Sequence, residues 1–231
     1  MDDMNGTRTR TADEELSGDG PDLARIVLID NVSLDGVMQD PAGDEGFPRG
    51  GWVGLIQHRL ELNQLALDDA LGAGAFLMGR RTYDWFAARW PSRSGALAER
   101  LNAMPKYVLS STVDQLAWTN STVLRGDAID EVSRLRREIA GDIMVPASVR
   151  LARALLEADL VDELRLKVFP VVIGAGERLF GETSDTHGLR LVETRTIDGD
   201  TAYLRYGRGQ AVRRSPDVPD LAAVARSGHQ R

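Results

Sequence analysis

From Arg25 onward, short apolar runs alternate with stretches in which apolar residues recur every three or four positions. A short apolar run fits a buried strand, whereas the three-to-four spacing puts side chains on one face of a helix. Arg25 to Asp30 predicts a first strand, which enters the turn Ser33-Leu34-Asp35-Gly36 and then a Gly/Pro-rich loop from Pro41 to Gly51. Leu55, Ile56, Leu60, Leu62, Leu65, Leu67 and Leu71 predict a helix over 55–71 that closes on Gly72 and Gly74. Ala75 to Met78 predicts a second strand, and a helix begins at Thr82 and runs to Ala88.

Strands follow at Tyr107 to Ser110 and Ser121 to Leu124, then an amphipathic helix from Ala128 to Ala140. Asp142 to Val145 reads as a strand, Val149 to Ala158 as a helix and Glu163 to Val172 as a strand. Arg190 to Thr196 and Thr201 to Tyr206 pair as a hairpin that turns at Asp198-Gly199-Asp200. Such alternation requires parallel pairs joined by crossovers, and the hairpin adds antiparallel edges. The expected fold is α/β with three layers: a mostly parallel mixed sheet flanked by helices, with a C-terminal antiparallel hairpin.

Composition adds boundaries to this pattern. Residues 1–24 carry seven acidic and two basic side chains with little apolar periodicity, as in a disordered acidic leader. Residues 25–209 form the expected domain, and 210–231 read as a flexible tail with a short apolar patch from Leu221 to Ala225. The formal net charge is −7 with no clustered Lys/Arg face, so no nucleic-acid partner is expected. Cysteine is absent, which excludes disulfides, thiolate metal sites and cysteine nucleophiles. There is no secretory apolar core and no run approaching the ~18 apolar residues of a membrane span. A cytoplasmic protein without a membrane partner is expected, and Asn120-Ser121-Thr122 is read as a turn.

The chemistry centres on Ala75 to Trp85, AFLMGRRTYDW. Here a strand runs into Gly79, two arginines and Thr82 as a helix begins. Unpaired N–H groups and the helix dipole favour an anion there, and guanidiniums suit a phosphate. A solvated turn whose arginines serve solubility fits the same spacing. Other motifs fail. Gly174-Ala175-Gly176-Glu177-Arg178-Leu179 lacks the third glycine of a dinucleotide fingerprint, no nucleophile elbow is present, and His58, His187 and His229 have no metal-ligand spacing.

Five segments carry a resemblance in order: Ser33-Leu34-Asp35-Gly36, Gly79-Arg80-Arg81-Thr82-Tyr83, Leu109-Ser110-Ser111, the strand Asp142 to Val145 with its following loop, and Leu160 to Leu164 with Pro170 to Gly174. Over about 25–209 the chain resembles the dihydrofolate reductase superfamily, and within it the reductase domain of bacterial riboflavin biosynthesis. The resemblance implies NADPH as cofactor. Gly79, Arg80, Arg81 and Thr82 would cradle its phosphates, Ser110, Ser111 and Arg125 would lie near the adenosine half, and Asn31 would border the nicotinamide. Ser33, Asp35 and Trp52 are the implied substrate contacts; Trp52 beside the Gly50-Gly51 hinge fits a lid over the substrate and, equally, core or surface packing.

The chain departs from the family pattern after Val145. Pro146-Ala147-Ser148 stands where the family has a glycine-containing turn at the pyrophosphate, although Ser148 still offers a cap and N–H groups. The superfamily's carboxylate on the first long helix implies a catalytic role for Glu61, among Asn63, Asp68 and Asp69, with Asp35 as a second candidate. The implied function is hydride transfer from NADPH to a small heterocyclic or ribosylamino-pyrimidine-like substrate. A regulatory NADPH-binding protein without turnover is the alternative. Arg49, Arg59 or Arg178 could meet a substrate phosphate, and none stands out. The deaminase signature that accompanies some riboflavin reductases is absent. Glu163 to Val172 and Arg190 to Tyr206 are apolar for a sheet edge, so a homodimer is expected.

Overall fold

Among the described residues eight strands join in one sheet in the order β4-β3-β2-β5-β1-β6-β8-β7. The computed structural model describes residues 23–55 and 59–209. The expected leader through residue 22, the tail with Leu221 to Ala225, and residues 56–58 lie outside the described residues. β1 (Ile26–Ser33), β2 (Ala73–Gly79), β3 (Lys106–Leu109), β4 (Ser121–Leu124), β5 (Asp142–Pro146) and β6 (Glu163–Phe169) pair in parallel. β7 (Leu189–Ile197) and β8 (Thr201–Arg208) add the antiparallel hairpin. Its turn places Asp198 at φ 50° and Gly199 at φ 92°, the left-handed pair that matches strand twist.

Helices cover both faces. α1 (Leu60–Gly72), α2 (Arg80–Ala87) and α3 (Ala96–Ala103) lie over Val27, Ile29, Phe76 and Met78. α4 (Ala128–Glu138) and α5 (Val149–Glu157) lie over Ile26, Leu28, Leu77 and Val145. Alternate β1 residues therefore feed opposite cores, as the two-residue period of a strand requires. The expected three-layer fold is present. No helix among the described residues is long and apolar enough to cross a membrane.

Several boundaries differ from expectation. Trp52–Leu55 is a separate 3-10 turn, and α1 starts at Leu60. Gly72 ends α1, but Gly74 lies inside β2, where a Cβ would collide with the carbonyl oxygen of Ala140. Its glycine serves close backbone approach rather than a helix end. α3 was not expected, because only Ala98 and Leu101 of its eight residues are buried. That is too short a periodic signal to read. β6 ends at Phe169 and lies inside the sheet between β1 and β8, so among the described residues the edge in the C-terminal half is β7.

Candidate active site

β2 and β5 are neighbours; β2 runs straight into α2, and Ala147 and Ser148 join β5 to α5. The starts of α2 and α5 therefore stand side by side. The backbone N–H of Gly79 donates to Oγ of Ser148 at 3.2 Å. That hydroxyl donates to Oγ1 of Thr82 at 3.0 Å, and Thr82 donates to the carbonyl of Ala147 at 3.0 Å. Two dipole ends are thus stitched together, an arrangement suited to an anion. Ala147 adopts φ 46°, so alanine takes up the left-handed backbone despite its Cβ.

The two arginines part. Arg80 lines a cleft of about 360 Å³ with Ser110, Ser111 and Arg125. There Arg80 pairs with Asp84 at 2.6 Å, and Arg125 donates to the Val113 carbonyl at 2.7 Å and to Asp114 at 2.6 Å. Arg81 instead faces a cavity of about 300 Å³. It meets Glu45 at 3.0 Å and Glu177 at 3.8 Å. The first turn of α2 consequently lies between a basic, hydroxyl-lined cleft and a mostly apolar cavity.

That cavity contains a buried carboxyl. β1 pairs with β5 only as far as Ile29 opposite Pro146, but continues beside β6 to Ser33 opposite Phe169. Asp30 thus sits just past the end of β5 and reaches its loop. Oδ1 accepts the N–H of Ala147 at 2.8 Å, while Oδ2 is buried without a partner. Asp30 is only 2% exposed and lines the cavity. Burial pushes its pKa up to about 7, against the Ala147 hydrogen bond and the attraction of Lys167, which act in the other direction.

Asp69 of α1 is the helix carboxylate that lines the cavity. Arg165 donates to its Oδ1 at 2.7 Å, and Lys167 lies 3.5 Å from its Oδ2. Asp40 organises the loop at the mouth. Its carboxylate accepts N–H groups from Gly43, Asp44, Glu45 and Phe47. That loop is strapped onto α2, because Asp44 accepts the Trp85 indole N–H at 2.8 Å and pairs with Arg89.

The model for the RibD C-terminal domain matches residues 25–203, most of the chain. The chain belongs to the RibD C-terminal domain family. An uncharacterised protein of Bacillus subtilis, YyaP, is 27% identical over 79% of this chain and 94% of its own length. A Shewanella protein assigned to riboflavin biosynthesis superposes with a TM-score of 0.64 at 21% identity, over 81% of this chain and all of that one. A Thermotoga maritima deaminase/5-amino-6-(5-phosphoribosylamino)uracil reductase gives 0.56 at 14%, over 81% and 57%. Dihydrofolate reductase of Enterococcus faecalis, solved with NADP(H), gives 0.52 at 15%, over 80% and 97%. These likenesses show the fold.

Within this RibD-type domain, the residues expected from sequence separate into three sets. Asn31, Arg81, Thr82, Pro146 and Ala147 line the cavity, with Ser148 and Gly79 bonded at its edge. Arg80, Ser110, Ser111 and Arg125 share the cleft. The remaining four do neither. Asp35 accepts from Ser33 Oγ at 2.7 Å and from the N–H groups of Ile173 and Gly174 at 3.0 and 2.9 Å. Those hydrogen bonds hold its carboxyl well below the usual range. It is a loop clamp rather than an acid at the cavity, and Ser33, buried beside it, is part of the same clamp. Glu61 accepts the N–H of Asp198 at 3.2 Å, while Asp198 accepts the N–H groups of Glu61 and Leu62. That reciprocal cap ties α1 to the hairpin. Trp52 is buried edge-on against Phe169, with ring centres 5.4 Å apart, and donates to the Gln39 carbonyl. It is core, not a lid.

Asp30 was missed as a site residue. Its signal was an acid directly after the apolar run Ile26 to Ile29, inside β1, where burial without pairing is costly.

Proposed function

We propose that the chain is an NADPH-dependent reductase acting on a small heterocyclic substrate. The observation that carries this reading is the continuity of the site. One helical turn, Arg80 to Thr82, joins an Arg/Ser-lined cleft to paired helix starts and to a cavity with a buried carboxyl. In this reading Arg80, Ser110 and Ser111 hold the 2′-phosphate, and Arg125 supports the same end. The N-termini of α2 and α5 hold the pyrophosphate. When bound, the cofactor supplies a hydride. The cavity's apolar walls exclude water, and Asp30 keeps a proton at Oδ2 near neutral pH for the reduced substrate.

Trp85 and Trp90 line the cavity and give the test an optical signal. Titration with NADPH is expected to quench tryptophan fluorescence saturably, with NADH weaker. Oxidation of NADPH by members of a panel of pterins, flavins and aminopyrimidines follows. No binding at millimolar NADPH would sink the cofactor assignment. Binding without turnover on any acceptor favours the regulatory reading, which the occupation of Arg81 by Glu45 and Glu177 also suits.

A further inference from the structure

The cavity has two unlike poles. One is walled by Phe76, Phe86, Trp90, Leu97 and Leu101. Phe86 stacks on Trp90 with ring centres 6.2 Å apart and planes 20° from parallel, and Phe76 meets Phe86 edge-on at 5.7 Å. The other pole holds Asp30, Asp69 and Lys167.

The charges at this cavity are already matched. Arg81 is held by Glu45 and Glu177, and Lys167 lies against Asp69, which Arg165 also bonds. Asp40 spends its carboxylate on four backbone N–H groups. Arg49 and Arg178 do not line the cavity; they donate to the carbonyls of Ile173 and Asp35. A phosphate entering would thus meet Glu45, Asp69 and Asp30, while the lining cations Arg81 and Lys167 each already face a carboxylate. An aromatic ring would instead pack on aromatic walls. Three lining residues keep a buried polar atom without a hydrogen-bond partner, Oδ2 of Asp30, Oδ2 of Asp69 and Nε1 of Trp90, and of the two carboxyl oxygens that of Asp69 already lies 3.5 Å from Lys167.

We propose that the cavity takes a flat, unphosphorylated heteroaromatic ring, with an edge heteroatom at Oδ2 of Asp30 and its apolar body toward Phe86 and Trp90. This deepens the reductase reading by naming the substrate class, and it rests on that reading for its consequence in turnover. The proton that Asp30 retains near neutral pH makes it a hydrogen-bond donor to a ring nitrogen or carbonyl. The charged side chains around it are Lys167 from β6, Asp69 from α1, Arg81 from α2 and Asp40 and Glu45 from the loop, while β5 brings Met144 and Pro146.

The test compares one base with and without its phosphate. Calorimetric titration of the full chain with 5-amino-6-ribosylaminouracil and with its 5′-phosphate, in the presence and absence of NADPH, is expected to show tighter binding without phosphate. The expected ratio is at least about ten-fold, since an unpaired dianion beside carboxylates is repelled. Trp90→Leu, checked for folding by its melting curve, is expected to weaken the ring compound several-fold. Equal or tighter binding of the phosphate ester overturns the proposal. So does failure of both compounds to bind a chain that binds NADPH. Loss of NADPH binding alone would overturn the reductase reading, while the titrations without cofactor still decide the ring.

Discussion

The carboxyl of Asp30 accepts the backbone N–H of Ala147 at 2.8 Å, and Ala147 is held at φ 46°. One buried acid therefore shapes the loop at the start of α5 and keeps a second oxygen for the cavity. Its pKa rises from 3.8 to about 7. Between those values the folded chain retains a proton that the unfolded chain has released. Stability from this group is complete below about pH 4 and is lost as pH rises to about 7. The shift of about three units corresponds to roughly 4 kcal/mol. Asp30→Asn keeps an acceptor for Ala147 and cannot ionise. In urea unfolding it is expected to gain on the wild type steadily from pH 4 to pH 8. Parallel pH profiles for the two proteins would refute this account.

The hydroxyl of Ser148 serves Gly79 and Thr82 at once. Ser148→Ala removes both contacts and leaves the Gly79 N–H without that acceptor. A loss of about 1 kcal/mol of stability is expected. The NADPH affinity should drop several-fold as the two helix starts drift apart. Thermal melts and fluorescence titration measure the two effects separately.

Glu45 occupies the guanidinium of Arg81 from the loop above. Under the proposed function it competes with the cofactor's phosphates. Glu45→Gln is expected to tighten NADPH about two- to five-fold, more at low ionic strength than at high. An unchanged or weakened affinity would show that the contact helps the closed site instead.

Arg80 shares its cleft with Ser110 and Ser111, apart from Arg81. If that cleft holds the 2′-phosphate, Arg80→Ala weakens NADPH by about ten- to a hundred-fold, the range for a charge-assisted hydrogen bond. NADH, which lacks the phosphate, should lose little. Equal losses for both cofactors would move the phosphate elsewhere.

β7 forms one edge of the sheet and exposes Leu189 and Leu191, the latter 49% exposed. We propose that two copies pair along this edge. Sedimentation at micromolar concentration is then expected to give a dimer, and Leu191→Lys a monomer. A monomeric wild type would end this proposal.

The sequence by itself determined the order of the eight described strands, four of the five described α-helices and the layered fold, because strand and helix periods follow from local backbone geometry. It also located the Gly79 to Thr82 turn, whose glycine, arginines and hydroxyl are contiguous. Tertiary structure decided which carboxylates matter. Asp35 is clamped by Ile173 and Gly174, and Glu61 by Asp198, partners more than a hundred positions away. Asp30 is an acid at the cavity because β5 stops one residue short of it while β6 continues, leaving one oxygen bonded and the other dry. A carboxyl's protonation depends on desolvation and on long-range partners, and neither is written in the spacing of its neighbours along the chain.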